Sequence, residues 1–179
     1  MSVQKEPLTP KQLAELENKA RSIGGDTYKV FMILRYTGQH VSVINTGRFN
    51  LHEEIDEDGD TILVWYRPKK NGKIARTSIP KHKNIDFNVE KFGVEVQKRR
   101  NKRSRQYLYD LIRRLGIEAG IANISPMSFR HSLAIELLNN GASEIFVSQV
   151  LNCSRETLKW YGKYTDHGKI EQFRRMGWL

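Results

Sequence analysis

Two turn signals in the stretch LHEEIDEDGDTILVWYRPKKNGKIARTSIP, residues 51–80, constrain the fold more than any other feature of the chain. The dipeptides Asp58-Gly59 and Asn71-Gly72 favour the tight turns of β-hairpins, because these residue types tolerate positive φ angles. Segments rich in β-branched and aromatic residues flank both turns. We therefore predict three consecutive antiparallel strands between about residues 50 and 80.

The rest of the chain carries helical signals. Thr9-Pro10 combines a good N-cap with a residue that suits the first helical turn, and apolar residues recur at helical spacing as far as Gly24-Gly25. A second helix is predicted over about 27–36, and a short helix or turn over 41–49. Further helices are predicted over about 88–100, 105–120, 128–140, 143–150 and 155–162. The predicted fold class is α+β, mainly α-helical, with one small antiparallel sheet.

The charge of the chain is unevenly distributed along its 179 residues. Residues 1–60 contain seven Lys or Arg and ten Asp or Glu, a net charge of −3, whereas residues 61–179 contain 23 and ten, a net charge of +13. Basic residues interleaved with Tyr, Trp and Asn favour a nucleic-acid surface over a generally basic protein. The segment QKRRNKRSRQ, residues 97–106, is expected to follow a DNA backbone, and a solvated helix face is the alternative. The expected contacts are Arg99, Arg100, Arg103 and Arg105.

Several classes of protein are excluded by composition. The single Cys excludes a disulfide framework and Cys-based zinc sites, and the sequence has no metal-ligand cluster. No apolar run is long enough to span a membrane, and the N-terminus lacks the core of a signal peptide. We expect a soluble, cytoplasmic protein that associates with DNA in the nucleoid.

An arginine stands at the start of an apolar helix in SPMSFRHSLAIELLNNGAS, residues 125–143. Ser125-Pro126 predicts an extended residue followed by the first helical turn. The N–H groups at a helix N-terminus attract anions, and a guanidinium can bind a phosphate through two parallel hydrogen bonds. We interpret Arg130 as a phosphate-binding residue. The alternative is an arginine that bridges neighbouring elements of the fold.

Four segments in this order resemble the catalytic domain of the tyrosine recombinase/integrase family. SPMSFRHSLAIELLNNGAS resembles the family's second box, His-x-x-Arg-His before an apolar helix, and LRYTGQHVSVINTGRFNLHEEID resembles the first box. RPKKNGKIARTSIP resembles the hairpin of the catalytic lysine, and VSQVLNCSRETLKWYGKY the closing tyrosine segment. The resemblance implies one integrase-like catalytic domain over 1–179. Its core would span about 1–160, and a tail over about 165–179 would dock on a neighbouring subunit or on its own core.

This resemblance implies that the protein cuts and rejoins DNA through a 3′-phosphotyrosine intermediate, without metal or cofactor. Tyr161 occupies the position of the nucleophile because it lies four residues after Thr157, as in the family pattern. Tyr164 is the alternative nucleophile, three residues further along the same helical face.

The other catalytic positions are also implied by the resemblance. Arg130 would hold the scissile phosphate, and His131 completes the second box. Lys70 would protonate the leaving 5′-oxygen, and Lys73 is the alternative because turn length shifts the register of the hairpin. Lys69 and Arg155 would contact the DNA.

Three expected polar groups are replaced in this chain. His40 stands at the first-box arginine, Met127 at the second-box histidine, and Cys153 or Asn152 at the third histidine. Loss of one group that stabilises transition-state charge typically costs ~100- to 1,000-fold in rate. A protonated His40 would substitute in part. A nearby arginine is the other candidate: Arg35, Arg48 or Arg155.

Three functional hypotheses follow from the sequence. The first is an active recombinase that uses Tyr161, with double-stranded DNA as partner and self-association into a dimer or tetramer during synapsis. The second is a recombinase-fold DNA-binding protein with impaired catalysis. The third is an unrelated basic domain that binds RNA or DNA.

Overall fold

The computed structural model describes residues 7–45, 51–68, 72–99 and 105–161, together with residues 165, 170, 173–174 and 176–178. Helices dominate these ranges, and a small sheet interrupts them between residues 52 and 80. In chain order the elements are α1 (Pro10–Ile23), α2 (Gly25–Thr37), α3 (Ser42–Asn45), β1 (His52–Ile55), β2 (Thr61–Pro68), β3 (Ile74–Pro80), α4 (Val89–Lys98), α5 (Arg105–Glu118), α6 (Pro126–Asn139), α7 (Glu144–Leu151) and α8 (Arg155–Tyr161). The mainly helical fold with a three-stranded sheet is therefore confirmed.

The sheet is an antiparallel meander in the order β1-β2-β3. In the first turn, Gly59 has a φ of +87°, and the Asp56 carboxylate accepts hydrogen bonds from the backbone N–H groups of Asp58 and Asp60. Across the second turn Pro68 pairs with Ile74, so the predicted hairpin is formed. Asn71 lies outside the described residues. The sheet thus extends β2 and β3 toward the turn that carries the candidate lysines.

The main hydrophobic core surrounds α2. Residues 30–34 of this helix are apolar at every position and are buried at every position, which is the pattern of a helix enclosed by neighbours on all sides. Phe31 packs edge-to-face on Phe129 of α6, with the ring centroids 5.3 Å apart. This contact connects the central helix to the segment that carries Arg130.

A second, smaller core holds the C-terminal helices against α6. Its buried members are contributed by α6, α7 and α8, and they are Ala134, Val147, Leu151, Leu158 and Tyr161. The candidate nucleophile is therefore part of the packing that keeps α8 in place.

Gly38 lies where the end of α2 closely approaches α6 and α7. It ends α2 in the left-handed conformation, with a φ of +61°. A Cβ atom there would lie 2.7 Å from Cδ2 of Leu151 and 2.9 Å from Cδ2 of Leu133. The position therefore requires glycine both for its backbone conformation and for the close approach of α6 and α7.

We expect Gly38→Ala to lower the free energy of unfolding by about 2–5 kcal/mol, because a left-handed alanine costs about 1–2 kcal/mol and overpacking adds about 1–3 kcal/mol. Gly120→Ala is the matched control: φ is +69° there, and no atom lies within 4 Å of the added Cβ. Urea unfolding of both variants measures the difference. Equal decreases in the free energy of unfolding for the two variants would show that the added Cβ at residue 38 causes no packing cost.

Candidate active site

Arg130 joins the ends of two helices from the first turns of α6. The start of α6 is fixed locally, because Pro126 occupies its first turn and the Ser125 N–H donates to Oγ of Ser128 at 3.1 Å. The Arg130 side chain is 6% exposed. Its guanidinium donates to the carbonyl of Gly38 at 3.0 Å and to the carbonyl of Leu151.

These two carbonyls belong to the C-terminal ends of α2 and α7. Carbonyls at a helix C-terminus have no partner within the helix and carry the negative end of its dipole, so a buried cation is stabilised there. The bridging arrangement that the sequence left as an alternative is thus present. It fixes the plane of the guanidinium, and it is compatible with a phosphate-binding role.

Tyr161 and His131 form a buried hydrogen bond. Nδ1 of His131 lies 2.6 Å from the hydroxyl oxygen of Tyr161, and the two residues are 8% and 1% exposed. The His131 ring also packs on Trp160, with centroids 5.0 Å apart. The second box and the tyrosine segment, thirty residues apart in sequence, therefore meet through these two side chains.

The electrostatics of this cluster favour neutral side chains. Burial raises the pKa of Tyr161 to about 12, although the charge of Arg130 acts in the opposite direction. Burial and the charge of Arg130 both lower the pKa of His131. Burial also raises the pKa of the Cys153 thiol, which Arg130 opposes. At neutral pH the tyrosine and the histidine are consequently both uncharged.

The remaining candidate residues differ in their exposure and in their partners. His40 is exposed, two residues after Gly38, and its carbonyl accepts from the Val43 N–H at 2.9 Å. Lys73 is exposed next to Gly72 at the end of the β2–β3 hairpin. Arg35 forms an ion pair with Glu136 at 2.8 Å. Outside the described residues lie Arg48, Lys69, Lys70, Arg100, Arg103 and Tyr164, and the side chain of Arg155 is also undescribed.

Two of the replaced positions have a defined place in the structure. Met127 is half-buried in the first turn of α6. Asn152 ends α7 in the left-handed conformation with a φ of +51°, which leaves Cys153 half-buried beside Arg130. Of the two candidates for the third position, the structure therefore brings Cys153 close to the arginine.

Sequence reasoning missed Gln39 and the contact between His131 and Tyr161. Gln39 is buried, and its Nε2 donates to the carbonyls of Thr37 and Val150, both at 3.1 Å. It thereby connects the end of α2 to α7, next to the two carbonyls that Arg130 contacts. Helical periodicity cannot predict the bond between Gln39 and Val150, because these residues are 111 positions apart in sequence.

The basic segment 97–106 contains two described arginines in different environments. Nη1 of Arg99 lies 2.8 and 2.9 Å from the two carboxylate oxygens of Asp26, which also accepts from the Tyr107 hydroxyl at 3.0 Å. Arg105 is exposed, with its guanidinium 5.5 Å from the ring centroid of Tyr109. Arg99 connects α4 to α2 and α5, whereas Arg105 faces solvent.

We expect Arg105→Gln to flatten the dependence of DNA affinity on salt concentration by about 0.9 in log–log slope, the value for one lost phosphate contact. Arg99→Gln is expected to leave the slope nearly unchanged and to lower the melting temperature, because it removes the ion pair between the Arg99 guanidinium and the largely buried Asp26 carboxylate. Fluorescence anisotropy with duplex DNA at several salt concentrations measures the slopes. A larger decrease in the salt slope for Arg99→Gln than for Arg105→Gln would contradict the assignment of Arg105 as the DNA contact.

Neither a membrane span nor a metal site is present in the part of the chain that the structure describes. None of the described helices is long and apolar enough to cross a membrane. The described residues also contain no group of three or more His, Cys, Asp or Glu side chains arranged to hold a metal ion.

The chain is similar to known recombinases in fold. XerA recombinase matches with a TM-score of 0.67 and 20% identity, over 98% of this chain and 66% of that chain. XerH site-specific recombinase, bound to a palindromic difH substrate in a post-cleavage complex, matches with a TM-score of 0.66 and 16% identity, over 93% and 51%. A lambda integrase dimer bound to a COC′ core site matches with a TM-score of 0.57 and 14% identity, over 93% and 49%.

The chain thus spans about half to two thirds of the solved structures that it matches. No curated protein sequence matches it significantly. The sequence model described as "Phage integrase family" matches residues 6–167, which is most of the chain. On that match, and with a fold shared with solved tyrosine recombinases, the chain belongs to the phage integrase family.

Proposed function

We propose that this tyrosine-recombinase-type domain is the catalytic domain of a site-specific recombinase, which cuts and rejoins DNA through a 3′-phosphotyrosine intermediate. The observation that carries the proposal is the joint burial of Arg130, His131 and Tyr161 in one cluster, within a chain of the phage integrase family. We assign each of the three to a functional box on the resemblance of its segment to the family pattern.

In the proposed reaction, the hydroxyl oxygen of Tyr161 attacks the phosphorus of one DNA phosphodiester. A bond forms between that oxygen and phosphorus, and the bond from phosphorus to the 5′-oxygen of the next nucleotide breaks. Lys70 or Lys73 protonates the leaving oxygen. Attack by a free 5′-hydroxyl on the phosphotyrosine reverses the step, so rejoining needs no nucleotide cofactor.

Arg130 binds the scissile phosphate in this proposal. Its guanidinium is oriented by the carbonyls at the ends of α2 and α7, and donors whose orientation is fixed before the reaction stabilise the charge that grows in the transition state. Arg130 is thus expected to contribute to both DNA binding and chemistry.

Duplex DNA is the proposed partner, with the basic residues Lys69, Arg100, Arg103, Arg105 and Arg155 along its backbone. The solved XerH and lambda integrase structures hold difH and core-site DNA, and the Tn1549 integrase structure holds transposon right-end DNA. We propose that this chain likewise assembles as a dimer or tetramer on its target, as a DNA-associated protein of the cytoplasm.

A second candidate function is a recombinase-fold DNA-binding protein with impaired catalysis. The observation that favours it is the replacement of three polar groups, since His40 stands at the first arginine position and Met127 cannot exchange a proton.

The test uses a pool of nicked duplexes with a randomised central sequence, labelled at the 5′ end of the strand that would retain the phosphotyrosine. The nick lies a few nucleotides beyond the cut, so the short leaving fragment dissociates and religation is prevented. We expect a labelled protein–DNA band that resists denaturant, and a protease digest that carries the DNA on Tyr161. Duplex binding without any adduct would favour the second candidate function.

A further inference from the structure

We propose that His131 accepts the proton of Tyr161 when the tyrosine attacks DNA. The proposal rests on the proposed function, because it concerns the nucleophile of that reaction. The family pattern places a histidine four residues earlier in the chain, where this protein has Met127. The structure assigns the task instead to the imidazole that contacts the reacting oxygen.

The geometry of the pair carries this assignment. Nδ1 of His131 lies 2.6 Å from the Tyr161 hydroxyl oxygen, within the range required of a general base in direct contact with the proton that it takes. Rings of Trp160 and Tyr161 flank the imidazole, with centroids 5.0 and 5.5 Å away. The imidazole is therefore held in place before any substrate binds.

The other groups of the cluster are poorer acceptors. A guanidinium stays protonated at any relevant pH, so Arg130 cannot accept a proton. The thioether of Met127 is only a weak acceptor, and burial raises the pKa of Cys153, which keeps the thiol protonated. Among the described side chains of this cluster, the neutral imidazole is the competent base.

The proposal fixes the tautomer of His131. For the imidazole to accept, Nδ1 must carry its lone pair and Nε2 the hydrogen, and the tyrosine must donate. A neutral imidazole has one donor and one acceptor nitrogen, so the opposite tautomer would donate to the tyrosine and could not take its proton. Burial lowers the pKa of His131 and keeps it neutral, as an acceptor requires.

The proton moves as the new bond forms. The tyrosine O–H bond breaks, Nδ1 takes the proton, and the oxygen uses the freed electron pair to bond phosphorus, while the 5′-oxygen leaves and is protonated by the hairpin lysine. In the DNA-free protein Arg130 disfavours a charged imidazole. A bound phosphate beside Arg130 supplies negative charge, which favours the imidazolium that forms. During religation, His131 returns the proton.

Two measurements test the proposal. In the DNA-free protein, nitrogen chemical shifts of His131 are expected to report an unprotonated Nδ1 and a protonated Nε2, and Tyr161→Phe should shift Nδ1. On the duplex selected from the randomised pool, His131→Asn is expected to slow adduct formation by ~100- to 10,000-fold, the usual contribution of a general base. The asparagine can still accept a hydrogen bond from the tyrosine, so it separates proton transfer from positioning.

The matched control is His82→Asn, which changes a partly buried histidine whose ring is stacked on Tyr36 with centroids 3.8 Å apart, and it should leave the rate unchanged. A protonated Nδ1, or an unchanged rate in His131→Asn, would overturn the proposal while leaving the recombinase function intact. A faster rate in His131→Asn would also overturn it, and would show that the bond restrains the tyrosine. Absence of an adduct from the wild type would instead remove the proposed function itself.

Discussion

Tyr161→Phe is expected to abolish the covalent DNA adduct and to change DNA affinity by less than about twofold. The substitution removes one hydroxyl, which is the only atom of the side chain that can bond phosphorus. It also removes the partner of a buried imidazole nitrogen. An unsatisfied buried polar group costs about 1–3 kcal/mol, so we expect a lower melting temperature as well.

Tyr164→Phe is the comparison that tests the choice of nucleophile, since both tyrosines lie in the same closing segment. The Tyr164 variant should form the adduct at the wild-type rate. If instead Tyr161→Phe retained the adduct and Tyr164→Phe lost it, the register assigned to the family motif would be wrong, and so would the roles built on it.

His40→Arg is expected to accelerate adduct formation by ~100- to 1,000-fold, the usual effect of one oriented charge donor in the transition state. The residue is exposed and lies two positions after the Gly38 carbonyl that orients Arg130, so we expect a longer side chain here to reach the proposed phosphate site. A guanidinium also stays charged at a pH at which an unperturbed imidazole is mostly neutral.

His40→Gln provides the matched control, because it keeps a polar side chain of similar length that cannot carry a charge. Adduct rates on the selected duplex, measured for the wild type and both variants at neutral pH, separate these effects. An unchanged rate in His40→Arg would mean that another cation of this chain already occupies the role of the first arginine. An equal gain in His40→Gln would exclude a charge effect.

The elements of the fold were predictable because their signals are local. Thr9 caps α1 through a side chain that accepts from the Gln12 N–H, as the Thr-Pro pair indicates. The positive φ of Gly59 was likewise encoded in one dipeptide. The ends of the longer helices lie within two residues of their predicted positions: α2, predicted from residue 27, begins at Gly25 because Gly24 both ends α1 and precedes α2.

The candidate site was only partly predictable. The resemblance gave the positions of Arg130 and Tyr161, but not the partners of either side chain. Arg130 bonds residues 92 and 21 positions away, and His131 bonds a residue 30 positions away. Such pairs depend on how helices pack. For the same reason, the run 97–106 gave no sign that Arg99 pairs with Asp26.

Arg130 and His131 are consecutive residues of one rigid helix, and this adjacency has a mechanical consequence. Consecutive helical side chains point about 100° apart, so one of them reaches the ends of α2 and α7 while the other reaches α8. The relative position of the proposed phosphate-binding residue and the proposed base is therefore set by a single peptide unit. We therefore expect substitutions in the hairpin and the basic segment to leave this alignment unchanged, whereas a one-residue insertion within the first turn of α6 would misdirect both side chains at once.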